Sequence, residues 1–288
     1  MASFILQQGK VTFCRLVNST AVTARKMTVG SKTLANGVNI YYEKVGQGNH
    51  PILLIPGALG STETDFQPQL KNLNRKEFTV VCFDPRGNGK SRPPERDFPP
   101  DFLYRDANDG AALMEILGFK QYSVVGWSDG GNSACILAAN CPERVNKLVV
   151  WGSNAYFSKE ELNLYKGIRD LEKWSTKMKQ PMVDMYGGKL FEKMWHGWVD
   201  AFDRMAKNCD EDGNTDLYKS ELPKITCQTL IVHGMKDALV PKFQPEFLHK
   251  NIKNSRLICW EDGKHNLHLR YAERFNALVE QFLTSSKL

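Results

Sequence analysis

Gly126-Trp127-Ser128-Asp129-Gly130, with Gly131 after it, fits a G-x-S-x-G pattern. An apolar run, QYSVV, precedes it and a small-residue stretch, Gly-Asn-Ser-Ala, follows. That context matters chemically. A nucleophilic serine must sit on a strained strand-to-helix turn with its hydroxyl exposed, and only small flanking residues let strand and helix approach so closely. A plain turn of the same composition would leave the serine inert. The strand before it and the helix-compatible residues after it favour the nucleophile.

A serine hydroxyl attacks a carbonyl only if a base takes its proton. His233, His249, His265 and His268 are the candidates, with His50 and His196 as outliers. In sheets carrying such an elbow the chain order is Ser, acid, His, and active loops lie at the carboxyl ends of parallel strands. His265, in the Gly263-Lys264-His265 turn after the last strand-like run, fits best. His268 falls inside the following segment, and His233 lies in a strand end suited to a structural hydrogen bond. The acid belongs after the preceding strand, where LIVHGMKD places Asp237. Asp262 is the alternative, three residues before His265, and reads better as a loop former. The carboxylate would fix the imidazole tautomer and stabilise the imidazolium.

A developing oxyanion needs preorganised donors. One is the backbone N–H of Asp129; the other belongs to Pro56-Gly57-Ala58-Leu59-Gly60, with Ala58 first and Leu59 second. The Asp129 side chain is unusual beside an oxyanion. It would disfavour neutral or anionic acyl groups and favour a cationic α-ammonium, by a charge-assisted hydrogen bond of about 1.5–3 kcal/mol. It could instead serve the positive end of the next helix, for only about 0.3–1 kcal/mol.

The elements that must position these groups read as a parallel α/β arrangement. VNIYYEKVG alternates like a half-buried strand, whereas PILLIPG, FTVVCFDPRG, QYSVVGW and VNKLVVWGS are continuous apolar runs of the kind buried in parallel sheets. Residues 101–118 carry a helical stripe closed by Gly118, and 131–140 are helix-compatible. Residues 154–222 break the rhythm. They contain helical stretches, KEELNLYKGIRDLEKWSTKM and KLFEKMWHGWVDAFDRMAKN, without a strand-like run, and are too long for a loop. The expected organisation is a core of 34–153 and 223–288 with 154–222 inserted as a helical cap. Leu164, Tyr165, Gly167, Trp174 and Leu239 are candidate pocket-lining residues beneath that cap. The strand rhythm returns at CQTLIVHG and SRLICW and ends in a helix, YAERFNALVEQFLTS.

The 288 residues are 42% hydrophobic and 24% charged, which excludes a disordered or collagenous chain. No apolar run approaches the roughly 18 residues that span a bilayer, so no membrane insertion is expected. The net charge of +6 is concentrated in the tail: residues 1–42 hold Lys10, Arg15, Arg25, Lys26 and Lys32 and no acid. No basic stripe suggests nucleic acid. The acid-free tail, 1–33, suits a mitochondrial transit peptide or a disordered leader. Seven scattered cysteines without a CxxC suggest reduced thiols and no zinc site.

Four blocks together resemble the α/β-hydrolase superfamily: Leu54-Ile55-Pro56-Gly57, Asp84-Pro85-Arg86-Gly87-Asn88-Gly89-Lys90-Ser91, the Ser128 turn, and His233–Asp237 with Gly263–His265. Within it, ETDFQPQLKNL, YKGIRDLEKWS and EDGKHNLHLR resemble the biphenyl hydrolase-like α-amino-acid esterases over roughly residues 34–286. The resemblance implies a mitochondrial serine hydrolase of α-amino-acid esters, working with water and no cofactor; a monomer is expected. It implies Ser128, Asp237 and His265 as the triad and Asp129 as the residue for the substrate ammonium. Ala58 stands where a methionine is expected and Ala238 where a proline is expected, which changes the shape of the acyl pocket. The alternatives are a hydrolase of carbon–carbon bonds in ring-cleavage diketones, whose anionic substrate Asp129 would repel, and a non-catalytic receptor on the same fold. Haloalkane dehalogenase or epoxide hydrolase chemistry would need an acid at Ser128.

Overall fold

The computed structural model describes residues 27–286. The expected targeting segment falls on residues outside this range, apart from its last few. Those last residues form an element: β1 (Thr28–Thr33) pairs antiparallel with β2 (Asn39–Gly46) at the edge of the sheet. The core therefore begins before residue 34. The strand is exposed along most of its length, so its sequence carries no burial pattern to read.

The main sheet has eight strands in the order β1-β2-β4-β3-β5-β6-β9-β10. Its further members are β3 (His50–Ile55), β4 (Phe78–Phe83), β5 (Tyr122–Trp127), β6 (Val145–Trp151), β9 (Gln228–Gly234) and β10 (Ser255–Trp260). From β4 to β10 every pairing is parallel; β2 joins β4 antiparallel. Successive side chains point to opposite faces, and each face is covered. Leu53, Ile55, Val124, Leu148 and Val150 face α3 (Phe102–Ile116) and α4 (Asp129–Asn140). Ile52, Leu54, Val125, Val149 and Val232 face α1 (Thr62–Asp65), α2 (Gln67–Asn72), α9 (Leu267–Arg270) and α10 (Ala272–Thr284). Burial on both faces explains why these strands read as unbroken apolar runs.

The cap lies between β6 and β9. It opens and closes with a ribbon absent from the sequence reading: β7 (Tyr156–Phe157) pairs antiparallel with β8 (Thr215–Asp216). The first predicted helical stretch is broken into α5 (Lys159–Gly167), a 3-10 turn at Leu171–Lys173 and α6 (Thr176–Tyr186). The second is a single helix, α7 (Gly188–Met205), whose buried stripe includes Phe191, Met194, Trp195, Trp198, Val199 and Phe202. Spacing of three and four residues places that stripe on one face. Phe202 meets Phe102 of α3 and Phe157 of β7, which seats the cap on the core. Gln244 of α8 (Phe243–Asn251) donates to buried Glu161 of α5 and fixes the cap base. No helix among the described residues is long and apolar enough to cross a membrane.

Candidate active site

Because β3, β5, β9 and β10 run parallel, the loops after them all emerge at one edge of the sheet. Ser128 follows β5 with φ 56 and ψ −126, a left-handed conformation for a residue that has a side chain. Such backbone strain is worth about 1–3 kcal/mol and is held in place by surrounding contacts. Those contacts are visible. The Ser128 N–H donates to the Trp151 carbonyl, and its carbonyl accepts from Gly131 and Asn132. A Cβ on Gly130 would stand 2.1 Å from the Ile55 carbonyl oxygen, so the helix can start against β3 only with glycine there.

His265 follows β10, and its Nδ1 hydrogen-bonds Asp237 Oδ2 at 2.8 Å, with the carboxylate accepting. Asp237, in the loop after β9, also accepts backbone N–H groups from Leu239 at 2.8 Å and Val240 at 3.1 Å on Oδ1. Burial alone would raise this carboxyl; the imidazole and the two amides outweigh it and hold Asp237 below its ordinary range. An ionised Asp237 keeps the proton on Nδ1 and leaves Nε2 as a base. The His265 ring reaches across β9 and β6 to the serine turn. Its centroid is 5.4 Å from that of Trp127, whose indole N–H donates to the His265 carbonyl at 2.9 Å. The end of β6 makes room with Gly152, where a Cβ would stand 2.8 Å from His265 Cε1.

The other histidines are elsewhere or otherwise engaged. His268 is fully buried, accepts the Trp151 indole N–H at Nδ1 and therefore donates from Nε2 to the Asp65 carbonyl. Burial lowers it to about 3. His233 is buried in β9, His249 bonds Ser255 on the surface, and His50 bonds Ser123 and lines a shallow depression at the opposite edge of the sheet. Asp262 is exposed and its carbonyl accepts from Tyr271, a loop-forming role.

The loop Gly57–Gly60 adjoins the serine: a Cβ on Gly57 would be 3.2 Å from Ser128 Cβ. The Gly57 N–H donates to Asp65 Oδ2, the Gly60 N–H to the Gly57 carbonyl, and Asn88 Nδ2 to the Gly60 carbonyl. The amides of Ala58 and Leu59 have no acceptor among the described residues. The Asp129 amide, first in its helix, has no intrahelical acceptor. Leu59 itself has φ 56.

Asp129 does not simply cap α4. Its Oδ2 accepts the indole N–H of Trp198, from the cap helix α7, at 2.7 Å. Burial raises this carboxyl to about 6, against the opposing pull of Trp198, Arg96 and His265. Arg96 is itself paired with Asp106 at 2.6 Å. Trp198 was hidden in the sequence because its spacing fits the apolar stripe of α7 equally well.

The pocket-lining candidates fare unevenly. Leu239 supplies its N–H to Asp237 and is half-buried, as is Leu164. Tyr165 is buried against Trp198 and Phe202 with its hydroxyl on Asn154, a packed wedge rather than an open wall. Trp174 packs against Phe191 and Trp195 inside the cap. Gly167 is exposed, with open space where a Cβ would be, so it forms no wall.

Residues 50–183 match the α/β hydrolase fold family. Over 264 residues the chain is 51% identical to Serine hydrolase BPHL of Homo sapiens, covering 92% of this chain and 87% of that one. The chain belongs to the α/β-hydrolase family. Within it, this α/β-hydrolase is a serine hydrolase, equally 51% identical to Serine hydrolase BPHL of Mus musculus over 92% and 87% of the two chains. It is 26% identical to 3-oxoadipate enol-lactonase 2 of Acinetobacter baylyi over 85% of its own length and 93% of that protein. Its fold matches the crystal structure of MGS-M2, an α/β hydrolase from a deep-sea metagenome, with a TM-score of 0.74 at 21% identity, over 90% of this chain and 98% of that one.

Proposed function

We infer that this serine hydrolase cleaves carboxylic esters of α-amino acids. The observation that carries the reading is a buried carboxylate, Asp129, one residue after Ser128 and next to the oxyanion position. A negative charge there opposes acyl transfer in general and helps only when the acyl group brings its own cation. Oδ2 is engaged by Trp198, and Oδ1 has no described hydrogen-bond partner, which leaves it for an ammonium N–H. The carboxylate also argues against the diketone reading, whose acyl part is anionic.

The chemistry is ordinary acyl transfer. His265, oriented by Asp237, takes the proton of the Ser128 hydroxyl as its oxygen attacks the ester carbonyl. The amides of Ala58 and Asp129 receive the oxyanion, each contributing about 3 kcal/mol or more to the transition state. The imidazolium protonates the leaving alcohol; a water, deprotonated by the same imidazole, then releases the amino acid. The basic, acid-free tail supports a mitochondrial location for this activity.

The test compares kcat/KM for an aminoacyl ester and its des-amino analogue with the same alcohol. The reading expects the aminoacyl ester to be preferred by about 10–150-fold, the worth of one charge-assisted hydrogen bond. Equal values would overturn it.

A further inference from the structure

The oxyanion loop is held from the cap as well as from the core. Tyr186, the last residue of α6, is buried. Its hydroxyl donates to the Leu59 carbonyl at 2.5 Å and accepts the Gly89 N–H at 3.0 Å. One oxygen thus ties the loop after β3 to the loop after β4. The Arg92 guanidinium lies 4.9 Å over the Tyr186 ring, and its Nε donates to the Gly89 carbonyl at 2.8 Å. Burial pushes the phenol above its ordinary range, so it stays protonated and able to donate.

The Leu59 carbonyl belongs to the residue with positive φ, directly after Ala58. Asp65 and Asn88 fasten the two ends of the loop, at Gly57 and Gly60. Between them, among the described residues, only Tyr186 fastens a carbonyl, and it comes from the cap. We propose that Tyr186 is a positioning residue for the oxyanion hole: its hydroxyl fixes the strained Leu59 and so sets the direction of the Ala58 and Leu59 amides, coupling turnover to a seated cap. This rests on the acyl-transfer reading of the site. It does not rest on the aminoacyl specificity.

The test uses the full chain, a p-nitrophenyl ester and phenylboronic acid, which adds the serine oxygen to boron and mimics the tetrahedral oxyanion. Tyr186→Phe keeps the ring and its cation contact and removes only the hydroxyl. The expected result is a fall in kcat of about 10–100-fold, less than outright loss of an oxyanion donor because the amide is misdirected rather than removed, with KM within about twofold. The boronate inhibition constant should rise by a similar factor. That constant is independent of how much of the enzyme is folded, so partial misfolding cannot imitate it. A fall in kcat with an unchanged inhibition constant, or no change in either, overturns the proposal. Ser128→Ala run alongside separates the two readings. If it is inactive while Tyr186→Phe matches wild type, the clamp alone is wrong. If it retains turnover, the nucleophile reading fails and the clamp falls with it.

Discussion

Trp198, on the cap, donates its indole N–H to Asp129, the residue after Ser128, at 2.7 Å. A cap residue thereby touches the carboxylate proposed to receive the substrate ammonium. The contact has two effects: it holds one carboxylate oxygen in place, and it favours the ionised form of a group that burial drives toward neutrality.

Trp198→Phe separates these effects from packing. Phenylalanine can retain part of the ring contact with Trp195, Tyr165 and Phe202 but donates no hydrogen bond. The aminoacyl preference should fall severalfold, with little change for the des-amino ester. Measured kcat/KM values that fall equally for both would assign Trp198 to packing alone.

The ratio of the two kcat/KM values should itself depend on pH. Asp129 is raised to about 6, so it is ionised above that pH and neutral below it. Selectivity should be greatest near pH 7, below the titration of the substrate's own α-amine, and decline as pH falls through about 6. Any pH effect on the shared acyl-transfer chemistry acts on both esters and cancels in the ratio. In Trp198→Phe the midpoint should move upward, because the indole opposes the rise. A ratio flat between pH 5 and 8 would contradict the assignment.

His268 carries a prediction about stability. Its pKa is lowered to about 3, whereas an unfolded histidine titrates near 6.5. Between these values the unfolded chain binds a proton that the folded protein refuses, so His268 destabilises the fold as pH drops from about 6.5 toward 3. The limit is ~1.4 kcal/mol per pH unit. Asp65, raised to about 7, works in the opposite direction over an overlapping range, so the informative quantity is the difference from a variant. Urea unfolding at pH 6.5 and 4.5 should show wild type losing more stability than His268→Gln, by up to about 2–3 kcal/mol. Parallel losses would place the acid sensitivity elsewhere.

Much of the core was legible because its signals are local. Continuous apolar runs ending in glycine mark doubly covered strands, and each candidate site residue sits just past one. Ser128, Asp237 and His265 follow β5, β9 and β10 for that reason. The cap was less legible. The pair β7 and β8 is two residues per strand, too short for any period, and α5 ends at Gly167 where the helical stripe alone would continue. The edge strand β1 escaped because exposed strands carry no apolar alternation. Trp198 and Tyr186 were the least visible. Each reads as an apolar helix residue, and its polar contact depends on how the cap sits, which is long-range information absent from local spacing.

In the proposed reaction Asp129 reads the substrate's ammonium while Ser128 performs the acyl transfer. The most direct test is the double ratio: kcat/KM for an aminoacyl ester over its des-amino analogue, in wild type over Asp129→Asn. Asparagine keeps the shape and an acceptor for Trp198 but removes the charge. The expected double ratio is about 10–100, arising from a loss for the aminoacyl ester while the des-amino ester is unchanged or faster. A double ratio near one, with both esters slowed alike, would contradict it.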